Sequence, residues 1–109
     1  MTKAAQDFPL TAGDTQYLDV DVTDADGAAV NLNGYTLRWK LNSTPPVVKA
    51  LGAGITVLDA PGGLVRIALA PADTPGLAGA YEHELEGADA DGNVSTLLRG
   101  IATINRGLV

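Results

Sequence analysis

Cysteine is absent from these 109 residues, which removes disulfides, thiolate metal sites and cysteine nucleophiles together. Stability must come from packing and hydrogen bonding alone. Histidine occurs once, at position 83, too few imidazoles for a conventional zinc centre. Basic residues are scarce as well. Seven Lys and Arg stand against thirteen Asp and Glu, a formal charge of -6, and the cations are scattered singly. Without a cationic stripe to neutralise phosphates, the composition argues against nucleic acid and against anionic membrane surfaces as partners. No apolar run approaches the ~20 residues that span a bilayer. The opening MTKAAQDFPL lacks the apolar segment of a signal peptide. The expectation is a chain made in the cytoplasm that stays soluble.

What is present is a rhythm of short β-rich runs broken by turn signals, the pattern of a sandwich or barrel. Hydrophobic residues make up 46% of the chain, enough for a packed core and too many for disorder. Residues 7–11 read as an edge strand, where Pro9 is tolerated. Residues 15–24 alternate, with Leu18, Val20 and Val22 on one face and Tyr17, Asp19 and Asp21 on the other. Period two with acid on one side marks a half-buried antiparallel strand. Residues 35–42 repeat the pattern, placing Tyr35, Leu37, Trp39 and Leu41 together and Thr36, Arg38 and Lys40 opposite. Short strands follow at 47–48 and 55–58, then 64–70 with Val65, Ile67 and Leu69 inward. Residues 71–80 form the one longer connection, read as a single helical turn. Residues 81–86 turn Tyr81, His83 and Leu85 inward and Glu82, Glu84 and Glu86 outward. In the last strand, 94–104, Leu97, Leu98, Ile101 and Ile104 break parity, and a bulge near Gly100 would reconcile them.

These runs add up to an all-β, immunoglobulin-like antiparallel sandwich of about seven or eight strands. Residues 1–109 read as a single domain with short N- and C-terminal arms. Trp39 occupies the strand where such domains bury an indole against the opposite sheet, and Tyr81 is placed for a tyrosine corner. The expected core includes Val20, Val22, Leu37, Trp39, Ile67, Tyr81, His83 and Leu85.

Chemistry is hard to assemble from the remaining residues. Asp24-Ala25-Asp26-Gly27 and Asp89-Ala90-Asp91-Gly92-Asn93 open like calcium loops, so Asp24, Asp26, Asp89 and Asp91 are the metal candidates. A complete loop needs a bidentate Glu near its twelfth position. Tyr35 and Gly100 stand there instead, and Asp-Gly turns between strands are ordinary hairpin chemistry. Glu82 and Glu84 would lie about 7 Å apart on one strand face, within reach of an inverting glycosidase pair. A flat sheet face gives such a pair no cleft, and the row can instead pair with Arg38 and Lys40 on a neighbouring strand. His83 has its Glu neighbours on the opposite face and reads as a structural, buried residue. Phe8 and Tyr17 are the aromatics left for a surface contact. No catalytic residue and no cofactor is expected.

The motif order carries a resemblance. Ala12-Gly13-Asp14-Thr15 is followed by Val22-Thr23-Asp24-Ala25-Asp26-Gly27 and then by Val30-Asn31-Leu32-Asn33-Gly34-Tyr35-Thr36-Leu37. Gly54-Ile55-Thr56-Val57, Ala72-Asp73-Thr74 and Gly79-Ala80-Tyr81-Glu82-His83-Glu84-Leu85 complete it. This order resembles the immunoglobulin-like N-terminal domain of phage upper-baseplate (receptor-binding-protein adaptor) proteins and small stand-alone proteins of tailed-phage structural regions. The adaptor proteins continue into a region that holds fibres or trimerises, whereas this sequence ends at Val109. A module seated on an assembled particle is the corresponding expectation.

The resemblance implies a non-enzymatic virion structural protein, made in the host bacterial cytoplasm, that serves as a tail or baseplate component or a capsid decoration protein. Its expected partners are other virion proteins and copies of itself in a symmetric, multi-copy assembly. Edge strands, loop ends and the arms (residues 1–8 and 106–109) are the expected contacts, with an arm adding to a neighbour's sheet. The alternative of another class is a ligand-binding sandwich module for glycan or calcium.

Overall fold

Alternation of apolar and acidic residues makes Gln16–Asp21 a strand with a dry side and a wet side. In the computed structural model, which describes residues 4–5, 7–24 and 26–107, Leu18 and Val20 are buried while Tyr17, Asp19 and Asp21 face solvent. The same logic sets the other elements. In chain order they are β1 (Ala4–Ala5), β2 (Phe8–Thr11), β3 (Gln16–Asp21), β4 (Thr36–Leu41), β5 (Val47–Leu51), β6 (Gly54–Asp59), β7 (Leu64–Leu69), β8 (Gly79–Ala88) and β9 (Val94–Asn105). The fold is all-β, and its layers are those of the immunoglobulin-like sandwich. Among the described residues the strand count is nine, because the N-terminal run contributes two pieces, one on each side of Asp7.

Hydrogen bonding runs in the order β1-β9-β8-β4-β5-β6-β7-β3, with β2 also on β9. The path folds over at the β5–β6 seam, where Ala50 pairs with Gly54 and Leu51 with Ile55 in parallel. Only glycine suits that corner: Gly54 has φ 104, and a Cβ there would sit 2.4 Å from Lys49 Cδ. A front sheet of β2-β9-β8-β4-β5 thus faces a back sheet of β6-β7-β3. Leu37, Trp39, Leu41, Leu85, Leu97 and Leu98 from the front pack with Val20, Ile55, Val65, Ile67 and Leu69 from the back in one buried cluster. At ~25 cal/mol per Å2 of apolar surface removed from water, this cluster is the main favourable term in folding.

Several local expectations shift. The β9 bulge lies at Leu97 rather than near Gly100: Leu85 pairs with Leu98 and Glu86 with Thr96, while His83 and Gly100 stay in register. An extra residue at that point lets two successive leucines both turn inward, and both are fully buried. The run expected over 15–24 ends as a strand at Asp21, followed by a single bridge from Thr23 to Ala29. The helical turn in the longer connection is a 3-10 turn over Pro71–Asp73. Tyr35 and Tyr81 are half-buried rather than interior.

The N-terminal segment folds back on its own chain. Phe8, Pro9, Leu10 and Thr11 lie parallel to Ala102, Thr103, Ile104 and Asn105 of β9. The Asp7 carboxylate accepts the Ile101 N–H at 2.8 Å, standing in for a ladder carbonyl where β1 gives way to β2. The rest of the two arms, residues 1–3, 6 and 108–109, lies outside the described residues.

Candidate functional site

Three places bring polar or exposed groups together: the interior around His83, the outer front face and the outer back face. In the interior, Trp39 and His83 sit on adjacent antiparallel strands with both side chains turned inward. The Trp39 indole N–H donates to His83 Nδ1 at 3.1 Å. An indole nitrogen is a donor only, so Nδ1 contributes its lone pair and cannot serve as a base toward a substrate. Phe8 closes the group from β2, its ring centroid 5.0 Å from that of His83. His83 is 2% exposed and Trp39 is fully buried.

Of the remaining expected core residues, Val20, Val22, Leu37, Ile67 and Leu85 are buried. Tyr81 donates its hydroxyl to the carbonyl of Ala78 at 3.0 Å, the bond of a tyrosine corner.

The front face carries the charged rows. Arg38 lies opposite Glu86 and Lys40 opposite Glu84 in the β4–β8 register. Glu84 nevertheless takes its hydrogen bonds from the other side, accepting from Arg99 Nη2 at 3.3 Å and from the Thr96 hydroxyl at 3.1 Å. An open depression of about 260 Å3 lies between these rows, lined by Lys40, Asn42, Glu82, His83, Glu84 and Arg99. Its cations and carboxylates alternate, so no net field of one sign is focused there.

The back face carries one aromatic. Tyr17 is 62% exposed, and the Arg66 guanidinium lies 5.3 Å from its ring centroid. Arg66 is itself held by both oxygens of Asp19, at 2.7 and 3.0 Å. This fork keeps the Asp19 carboxyl below the usual carboxylate range, chiefly through the Arg66 hydrogen bond. It also fixes the guanidinium against the ring, so Tyr17 presents a pre-positioned apolar plane. The Asp19–Arg66 partnership is a register fact that one strand read alone does not contain.

The Asp-rich turns share one geometry. Asp24 Oδ1 accepts the N–H groups of Asp26 and Ala28 at 2.9 and 3.0 Å. Asp89 Oδ1 accepts those of Asp91 and Asn93 at 3.0 and 2.9 Å. Backbone donation, first from Asn93, holds the Asp89 carboxyl below its ordinary value. In each turn the first carboxylate is directed at its own backbone. Among the described residues, no three His, Asp or Glu side chains are placed to hold a metal ion together. No helix there is long and apolar enough to cross a membrane.

No protein-family model and no curated protein matches the chain. Among solved structures, the N-terminal domain of phage TP901-1 ORF48 superposes with a TM-score of 0.67 over 92% of this chain and 85% of that one, at 12% identity. The two share a fold. The ORF48 domain is a phage N-terminal domain, the kind of module the motif order resembles. At this identity the likeness concerns the course of the backbone, and the role of a phage domain does not transfer with it.

Proposed function

We propose that this chain is a non-enzymatic structural protein of a bacteriophage virion, a tail or baseplate component or a capsid decoration protein, acting through contacts with other virion proteins and with copies of itself. The reading takes residues 1–109 as one immunoglobulin-like module. The observation that carries it is the fold shared with the ORF48 domain across 92% of the chain, on top of a motif order read independently from the residues. The interior geometry supports the non-enzymatic part: His83 Nδ1 is engaged by the indole, and Glu84 by Arg99 and Thr96.

The back face is the contact surface this reading favours. Tyrosine and arginine dominate binding energy at protein interfaces, and here the pair is already rigid before any partner arrives. Purified particles of the phage encoding the chain give the test, by quantitative mass spectrometry and immunogold labelling. A fixed copy number per particle, with label on tail tip or capsid surface, is the expected result. Absence of the chain from washed particles overturns the reading.

A further inference from the structure

The N-terminal strand fills a slot beside β9 and is joined to the rest of the sandwich by one short turn. β2 pairs with β9 alone, and it completes the core from outside: Leu10 is 3% exposed and Phe8 packs on the His83 ring. Its tether to β3 is the short turn 12–15. Gly13 in that turn has φ +81, and a Cβ built there meets nothing within 4 Å. The turn therefore closes only because glycine tolerates this backbone conformation, with no steric crowding involved. Side chains latch it as well: the Gly13 N–H donates to Thr74 Oγ1 at 2.9 Å, and the Gln16 amide both accepts from Thr11 N–H at 3.1 Å and donates to Thr11 carbonyl at 3.0 Å.

We infer that β2, residues 8–11, exchanges between copies of this chain and carries β1 and Asp7 with it: with the turn extended, these fill the β9 slot of a second copy, and the reverse. The occupant is known because the structure shows that same segment in the slot. Exchange keeps every β2–β9 hydrogen bond and every contact of Phe8 and Leu10, and gives up only the latch. An isolated dilute copy keeps its own strand, since its effective concentration at the slot is high. Crowding of copies on a particle, which the functional reading above supplies, removes that advantage. The closed product is a two-fold dimer.

The test uses the isolated chain, so its failure leaves the virion reading standing. Gly13→Ala penalises the closed turn and not the extended one, and is expected to tighten the dimer by about tenfold per hinge. Gly13→Pro, with φ fixed near -65° and no N–H for Thr74, goes further and gives a dimer by light scattering at concentrations where the parent chain is monomeric. A folded, monomeric Gly13→Pro protein overturns the inference.

The absence of native cysteine allows a second arm that needs no hinge variant. Pro9 and Thr103 are partners in the β2–β9 register, whereas Thr56 lies on β6. Pro9→Cys and Thr103→Cys proteins, mixed, concentrated and oxidised, are expected to crosslink to each other, while a Pro9→Cys and Thr56→Cys mixture does not. Equal crosslinking in both mixtures, or none in either, overturns it.

Discussion

The front and back sheets solve the same packing problem in different ways. The front sheet buries a hydrogen-bonded indole and imidazole, and outside it carries rows of opposite charge in which Glu84 pairs with Arg99. The back sheet is purely aliphatic inside, with Leu18, Val20, Ile55, Val65, Ile67 and Leu69, and outside it holds a single braced tyrosine. Specific polar fit is concentrated where the sheet is wide and its interior must accept a β2 strand from the side. The narrow back sheet relies on shape alone, and Tyr17 stands exposed on its outer surface.

The largest effect should come from removing the piece on which the front interior is built. Trp39→Ala is expected to cost about 3–5 kcal/mol, read by urea unfolding. A paired substitution of similar volume then sharpens the contrast. His83→Leu leaves the buried indole N–H without its acceptor, at a cost of about 1–3 kcal/mol. Ile67→Leu in the back sheet, which strands no polar group, should cost less than about 1.5 kcal/mol. Equal losses for the two would erase the distinction between a fitted and a merely filled interior.

A smaller effect lies at the seam joining the sheets. Asp73 accepts Lys49 Nζ at 2.8 Å and the Ala70 N–H at 2.7 Å, tying the 3-10 turn to β5. Burial pushes its carboxyl up, but the Lys49 hydrogen bond and the Ala70 N–H outweigh that and leave it below the ordinary value. A carboxyl lowered in the folded state adds stability that is complete above its unfolded pKa of about 3.9 and is lost as pH falls through the lower folded value. Asp73→Asn should thus be less stable than the parent by about 1 kcal/mol at neutral pH. The gap should close on acidification, as followed by thermal unfolding across pH. Smallest for stability is Tyr17→Ala, which should leave the unfolding midpoint unchanged while weakening attachment to the particle by about tenfold or more.

Much of this architecture is legible in the residues, and the part that is not has a common cause. Period-two alternation places Leu18 and Val20, Leu37 and Trp39, and Val65 and Ile67 on inner faces because parity is a local property of a strand. Tyr81 at its corner is legible for the same reason, its acceptor being Ala78, three residues away. Parity also reveals that one residue too many lies in β9, but only the opposing strand decides that it is Leu97. The Trp39–His83 bond and the Arg66 brace under Tyr17 join residues 44 and 47 positions apart, and register between distant strands is not written in either one. Residues 1–8 read alone leave Phe8 free for a surface contact. In the fold it packs on His83, because Phe8 and Leu10 supply apolar surface that the open side of the front sheet lacks.

Amide hydrogen exchange on the chain, free and then seated on the particle, tests most directly whether the back face is the working surface. The account predicts new protection along β3 and β7 around Tyr17 and Arg66, with β4 and β8 exchanging as they do in the free chain. Protection centred instead on the front depression between Lys40 and Glu84, or no change on either face, would contradict it.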